Sequence, residues 1–237
     1  MTTRPASATI RTEVMVPLRF SDGFGTVARV ITFEGLVDGR EHLAIGLGDL
    51  SRRVHPAAEP RSPLVRLHSE CLTGDVFGSQ RCDCGPQKRE AVERISSAGG
   101  YLLYLRQEGR GIGLYAKLDA YVLQDLGLDT YDANVELGYD ADARDYTVAA
   151  QMLHALGVVR IRLLSNNPDK AEQLERLGVE VEQRVPTAVH WSAANAHYLA
   201  TKATRGAHTL EPGPQQGTRP WDAGQPGIVP GDLRLEA

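Results

Sequence analysis

Cysteine is scarce in this 237-residue chain: there are three, all between positions 71 and 84. An odd, tightly clustered set does not suit a disulfide framework and points to metal or redox chemistry. Long apolar runs are missing too. Nothing approaches the roughly 20 consecutive apolar residues of a membrane span, and the opening Met1-Thr-Thr-Arg-Pro-Ala-Ser-Ala has no apolar secretion core. Those absences predict a cytoplasmic protein without membrane contact. Positive charge is not in excess either. The net charge is −4 and no long basic run occurs, which argues against nucleic acid as a partner. A phosphate-bearing ligand would have to be met by cations gathered locally. No internal repeat is present.

What is there is ordinary for a globular protein, with 42% hydrophobic and 24% charged residues. The length suffices for one large domain or two small ones. The β-branched runs Val14–Phe20 and Thr26–Phe33 flank Ser21-Asp22-Gly23 and read as two strands around a turn, and residues 41–48 fit a third. After residue 85 the period changes. Helices are expected from Pro86 to Ala98, from Leu114 to Leu126 (with Leu114, Leu118, Tyr121 and Val122 inward), from Thr147 to Leu156 capped by Asp145, and from Pro168 to Leu177. Strands are expected at 101–105, 158–164 and 179–185, and a last helix at 193–204.

The expected fold class is therefore α/β of the mixed kind. A β-rich N-terminal part precedes an alternating strand–helix layer with parallel pairings, and the cysteine loop lies between them. Residues 1–12 read as a flexible arm and 13–205 as one catalytic domain. Residues 206–237 lack apolar periodicity, and the stretch from 205 holds five prolines and six glycines, which predicts a flexible tail.

The run Arg66-Leu-His-Ser-Glu-Cys71-Leu-Thr-Gly, continued by Arg81-Cys82-Asp-Cys84-Gly, places three thiolates within reach of one tetrahedral ion if the loop doubles back, which Gly74, Gly78 and Gly85 permit. Structural zinc sites take four protein ligands, and catalytic ones take three. Either a histidine such as His68 completes the set, or one position is left for water. The acid–base groups Glu70 and His68 beside the first cysteine favour a catalytic ion.

Three further segments carry charge to where ligands bind. Gln107-Glu108-Gly109-Arg110-Gly111-Ile112-Gly113 joins an expected strand to an expected helix, and its glycines let backbone N–H groups approach phosphate. Arg106, Arg110 and Lys117 around it strengthen the case for an anion. Asp140-Ala-Asp142-Ala-Arg144-Asp145 precedes a helix and offers carboxylate and guanidinium. Ser165-Asn-Asn-Pro168-Asp-Lys170 lies at the end of an expected strand, where open α/β sheets bind ligands, although Asn167 also suits a helix cap.

With these runs in order, the chain closely resembles GTP cyclohydrolase II from about residue 14 to 205. The resemblance implies a hydrolase acting on cyclic amidine C–N bonds at the first step of riboflavin biosynthesis. GTP would be opened at C8 of guanine by water activated on zinc. Formate and pyrophosphate would leave, giving a diamino-ribosylamino-pyrimidinone 5′-phosphate. By that resemblance Cys71, Cys82 and Cys84 match the zinc ligands, and magnesium accompanies the GTP phosphates. Arg66, Leu67, His68, Ser69, Glu70, Gln87, Glu108, Gly109, Arg110, Thr130, Ser165 and Lys170 match GTP-binding positions.

Asp142 matches a proton acceptor, and Arg144 the residue assigned as nucleophile on the α-phosphate. A guanidinium is essentially always protonated, so a clamp on that phosphate is the other role open to Arg144. Tyr121 matches a position where tyrosine accompanies complete removal of formate and methionine accompanies its retention. The resemblance also implies a homodimer. Ser165 departs from the commoner threonine but keeps a hydroxyl. Twelve residues of arm cannot hold the dihydroxybutanone-phosphate synthase sometimes fused upstream, so a single activity is expected. Two other readings share these residues: a paralogue making the formylamino product for a secondary pathway, and a non-catalytic nucleotide-binding protein with structural zinc.

Overall fold

The computed structural model describes residues 5–49 and 62–192, with Asn195 and Leu199. The expected tail and nearly all of the expected helix at 193–204 lie outside the described residues. Seven strands form one sheet: β1 (Thr9–Arg19), β2 (Gly25–Glu34), β3 (Leu43–Leu47), β4 (Leu64–Ser69), β5 (Gly100–Leu105), β6 (Arg160–Leu164) and β7 (Glu180–Val185). Their spatial order is β1-β2-β3-β5-β4-β6-β7. From β1 to β5 neighbours run antiparallel, and from β5 through β4 and β6 to β7 they run parallel. The mixed α/β class expected from the sequence is the one observed. β1 begins at Thr9, so the last residues of the expected arm lie in this strand, paired with the end of β2.

Six helices accompany the sheet among the described residues: α1 (Leu72–Asp75), α2 (Cys84–Ala98), α3 (Leu114–Asp125), α4 (Thr130–Glu136), α5 (Thr147–Ala155) and α6 (Pro168–Arg176). Among these residues, no helix is long and apolar enough to cross a membrane. Side chains alternate across the sheet, and each face has its own core. Val65, Leu67, Leu103 and Leu105 pack with Ala149, Met152 and Leu153 of α5 and with Leu174 of α6. Leu64, Leu102 and Leu164 pack on the other face with Ala91, Val92 and Ile95 of α2. Arg66 and His68 share the parity of Leu64, so both turn towards α2 and the cysteine loop.

α3 does not sit as its apolar pattern suggests. Its buried residues are Ala116, Lys117 and Ala120, while Leu118 and Val122 are exposed. Two small side chains bring the helix close to its neighbours and carry a lysine inward. Asp145 does serve the start of α5, accepting the Thr147 N–H at 2.7 Å, and Asn167 caps α6 by accepting the Asp169 N–H at 3.0 Å.

Gly100 opens β5 between β3 and β4, where it pairs with both Leu47 and Leu64. A β-carbon there would lie 1.9 Å from the Leu64 carbonyl oxygen, which is backbone and cannot swing aside. Gly100→Ala is expected to cost about 3 kcal/mol of stability, read as a lowered midpoint in thermal or urea unfolding. An unchanged midpoint would mean that β4 can shift away.

Candidate active site

β4, β5 and β6 end on the same side of the sheet, and the chain leaving each enters one cavity. The peptide after β4 is fixed by the Glu70 N–H, which donates to the Leu105 carbonyl at 2.8 Å. Cys71 immediately precedes α1, and the loop then turns back so that Cys82 and Cys84 meet it at the start of α2. Cys71 and Cys82 sulfurs are 3.6 Å apart, and all three sulfurs lie within 4.8 Å of one another.

Thiolates bound to zinc at about 2.3 Å in a tetrahedral array stand ~3.8 Å apart, so this donor set fits zinc in both softness and spacing. Gly74 forms the floor: a β-carbon there would lie 2.8 Å from the Cys82 sulfur and 3.1 Å from the Cys71 sulfur. The cluster holds negative charge unevenly. Hydrogen bonds from Cys82 and Cys84, with Lys117 nearby, pull the Cys71 thiol far below its usual range, while its bond to Cys71 pushes Cys82 up to about 11.

His68 is not among the ligands. Its Nε2 lies 3.0 Å from both oxygens of Asp75, a buried carboxylate that sequence reasoning missed. Asp75 also accepts the Tyr104 hydroxyl at 2.9 Å and the Cys71 N–H at 3.1 Å. One carboxylate thus fixes both the first ligand and the histidine, whose ring stacks on Tyr104. Burial lowers the pKa of His68 despite Asp75, which favours the neutral imidazole.

The glycine-rich loop folds as a short 3-10 turn over Glu108–Gly111. Arg110 has φ +63°, the only non-glycine residue in left-handed backbone among those described. That strained conformation sets its guanidinium 3.8 Å over the Tyr131 ring, with Nη1 buried and lacking a hydrogen-bond partner among the described residues. The other two expected anion-binding cations point elsewhere. Arg106 donates to Glu70 at 2.8 Å, and Lys117 reaches inward to Glu108 at 2.8 Å and to the Cys71 sulfur at 3.2 Å.

Tyr121 stands beside the thiolates with its hydroxyl 3.5 Å from Thr73 Oγ1. Arg81 packs 4.7 Å over its ring while holding Asp125 with two bonds of 2.5 Å. Arg66, fully buried, donates to Gln87 at 2.7 Å and to the Leu164 carbonyl at 3.0 Å. Lys170 comes from α6 and donates to the Leu67 carbonyl at 2.8 Å. Thr130 opens α4 with its hydroxyl buried and, among the described residues, without a partner.

At the outer rim Arg144 grips Asp142 through Nε at 2.8 Å and again through Nη2. Burial raises the pKa of Asp142, but Arg144, with Arg110 behind it, outweighs that and holds the carboxyl below its usual range.

Every residue that the resemblance matched to the family's site lines this one cavity except Asp142 and Ser165, while Arg106, expected to help bind an anion, lies outside it. Asp142 touches it through Arg144. Ser165 is buried beneath, accepting the Asn167 N–H at 3.1 Å and so shaping the turn into α6. Arg81, Ile112, Ala120, Gln124 and Asn134 also line the cavity and were not singled out, and Lys117, expected as an anion-binding cation, lines it too. Lys117 and Tyr121 are four residues apart on one helix, so both face the cavity.

Comparison with known proteins places this arrangement. The family profile described as GTP cyclohydrolase II matches residues 11–186. The chain is 50% identical over 184 residues to a GTP cyclohydrolase-2 of Vibrio parahaemolyticus, covering 78% of this chain and 90% of that one. A GTP cyclohydrolase-2 of Vibrio cholerae is equally similar, at 50% over 184 residues, with the same coverage. A "Riboflavin biosynthesis protein RibBA" of Mycobacteroides abscessus is 51% identical over 184 residues, which is 77% of this chain and 43% of that longer one. With the thiolate cluster, the glycine loop and the basic rim all falling inside the matched residues, the chain belongs to the GTP cyclohydrolase II family.

Proposed function

We propose that the protein hydrolyses GTP in a zinc-dependent reaction, opening the imidazole ring of guanine at C8 and releasing formate and pyrophosphate. The observation that carries this reading is the convergence of three thiolates and five cations or hydrogen-bond donors (Arg66, Arg110, Thr130, Arg144 and Lys170) on a single cavity. A structural zinc site would have no need of thiolates that share a cavity with that set.

Cys71, Cys82 and Cys84 hold the ion, which when bound supplies a Lewis acid beside the purine for attack by water at an electron-poor carbon. The thiolates share the cavity with the cations, so guanine would lie beside the thiolates and the phosphates beside Arg110, Arg144 and Lys170. The Arg110 Nη1 and the Thr130 hydroxyl, buried and without a partner among the described residues, belong to side chains that line this cavity and mark where a polar ligand would be met. Glu108 is committed to the Leu72 N–H at 2.6 Å and to Lys117, so it fixes the loop that carries Arg110. His68, held by Asp75, is placed to orient the base. Tyr121, clamped by Arg81 next to the thiolates, is positioned for the step that removes formate.

The Asp142–Arg144 pair favours the clamp over the nucleophile. Asp142 aims the guanidinium, and a planar, permanently charged fork suits an α-phosphate from which pyrophosphate departs. Magnesium accompanies the phosphates as part of the substrate. A homodimer working in the cytoplasm at the entry to riboflavin synthesis completes the proposal.

The test is to incubate zinc-loaded protein with GTP and magnesium, identify products by mass, and assay formate and pyrophosphate. The diamino-pyrimidinone phosphate with both by-products is expected. A product that keeps the formyl group would replace this reading with the paralogue's, and intact GTP would refute it.

A further inference from the structure

Lys117 is a buried cation to which the site roles above give no task. Its ammonium has three protons and three acceptors: the Cys71 sulfur at 3.2 Å, Thr73 Oγ1 at 3.0 Å and Glu108 Oε1 at 2.8 Å. All its donors are spent inside the protein, so the side chain lines the cavity without offering a bond to a ligand. Its acceptors belong to three parts of the site. Cys71 is a thiolate of the cluster, and Thr73 stands 3.5 Å from the Tyr121 hydroxyl. Glu108 also accepts the N–H groups of Leu72 and Gly109, joining α1 to the glycine loop.

Three thiolates around a divalent cation leave one negative charge in excess, buried in this case. An ammonium against one sulfur balances that charge and fixes the sulfur's direction. The small residues Ala116 and Ala120 let α3 approach closely enough for the lysine to reach.

We propose that Lys117 is a positioning residue of the metal centre. It orients the Cys71 thiolate through an N–H···S bond, neutralises the excess charge of the thiolate set, and ties that set to Glu108 and the Arg110 loop. The inference rests on the metal-dependent reading above.

The test compares wild-type protein with Lys117→Met and Lys117→Gln, each first checked for native circular dichroism. Zinc affinity is measured by competition with a chromophoric chelator. The sulfur-to-metal charge-transfer band is recorded after cobalt(II) is substituted for zinc. Loss of the partner of a metal ligand is expected to weaken zinc binding about 10- to 100-fold. The cobalt band is expected to move to longer wavelength, because a sulfur relieved of its donor is more electron-rich. Lys117→Gln, which keeps an N–H near the sulfur without the charge, is expected to fall between wild type and Lys117→Met, and it carries the test if the methionine variant does not fold.

Folded variants with wild-type affinity and an unmoved band would overturn the inference and leave the metal-dependent reading standing. Wild-type protein that binds neither ion would overturn both.

Discussion

Cys82→Ser is expected to remove the metal and ring opening together, with formate release falling by more than about a thousandfold, or ~4 kcal/mol of barrier. Serine is too weak an acid to replace a thiolate in this cluster, and two sulfurs alone hold a borderline-soft ion poorly. The effect reaches beyond the ligand. Cys82 lies 3.6 Å from Cys71, and Cys84 opens the helix that covers one face of the sheet, so an ion held there would draw two elements together. Metal content by atomic emission and formate yield are to be measured on the same sample. Zinc retained with full activity would strike Cys82 from the ligand set.

Arg144→Ala is expected to act at the other end of the substrate. Pyrophosphate release is expected to fall about 10²- to 10³-fold, the usual loss when one donor to developing charge is removed from a water-poor site. Bound zinc is expected to remain at one ion per chain, because Arg144 touches Asp142 and not the thiolates. The pairing of unchanged metal with lost pyrophosphate separates this variant from Cys82→Ser. A normal pyrophosphate yield would refute a role at the α-phosphate, whether as clamp or nucleophile.

Both variants concern residues that could be read from the chain, because their chemistry is local. Cys71, Cys82 and Cys84 are close in sequence, and Asp142 and Arg144 are two apart. The alternation of strands and helices after residue 100 was legible for the same reason, since period and glycine stops are local signals. β4 gave no such signal. Leu64-Val-Arg-Leu-His-Ser69 is almost wholly buried yet carries Arg66 and His68, and their partners Gln87, Leu164 and Asp75 are supplied by other elements. α4, with Thr130-Tyr-Asp-Ala-Asn-Val-Glu136, has no apolar stripe and is specified by its Asp129 cap.

The orientation of α3 was misread because exposed Leu118 and Val122 mimic a core face, while the true contact is made by alanines. Asp75 was missed as a site residue, and Lys117 was read as an anion-binding cation rather than a partner of Cys71 and Glu108, because a buried charge is indistinguishable from a solvated one until its partners are known.

The sheet order carries a consequence for how the protein is made. Every thiolate, the Arg110 loop and α3 belong to the stretch that ends at Asp125, and β1 to β5 pair with one another without help from β6 or β7. Lys170, which lines the cavity, and Ser165, which shapes the turn after β6, emerge from the ribosome later, by a few seconds at ~5–20 residues per second. A nascent chain therefore exposes a complete set of soft donors before it owns a finished nucleotide pocket. An ion taken up at that stage would precede any encounter with nucleotide, and the cell's supply of it during translation would set how many newly made copies become competent.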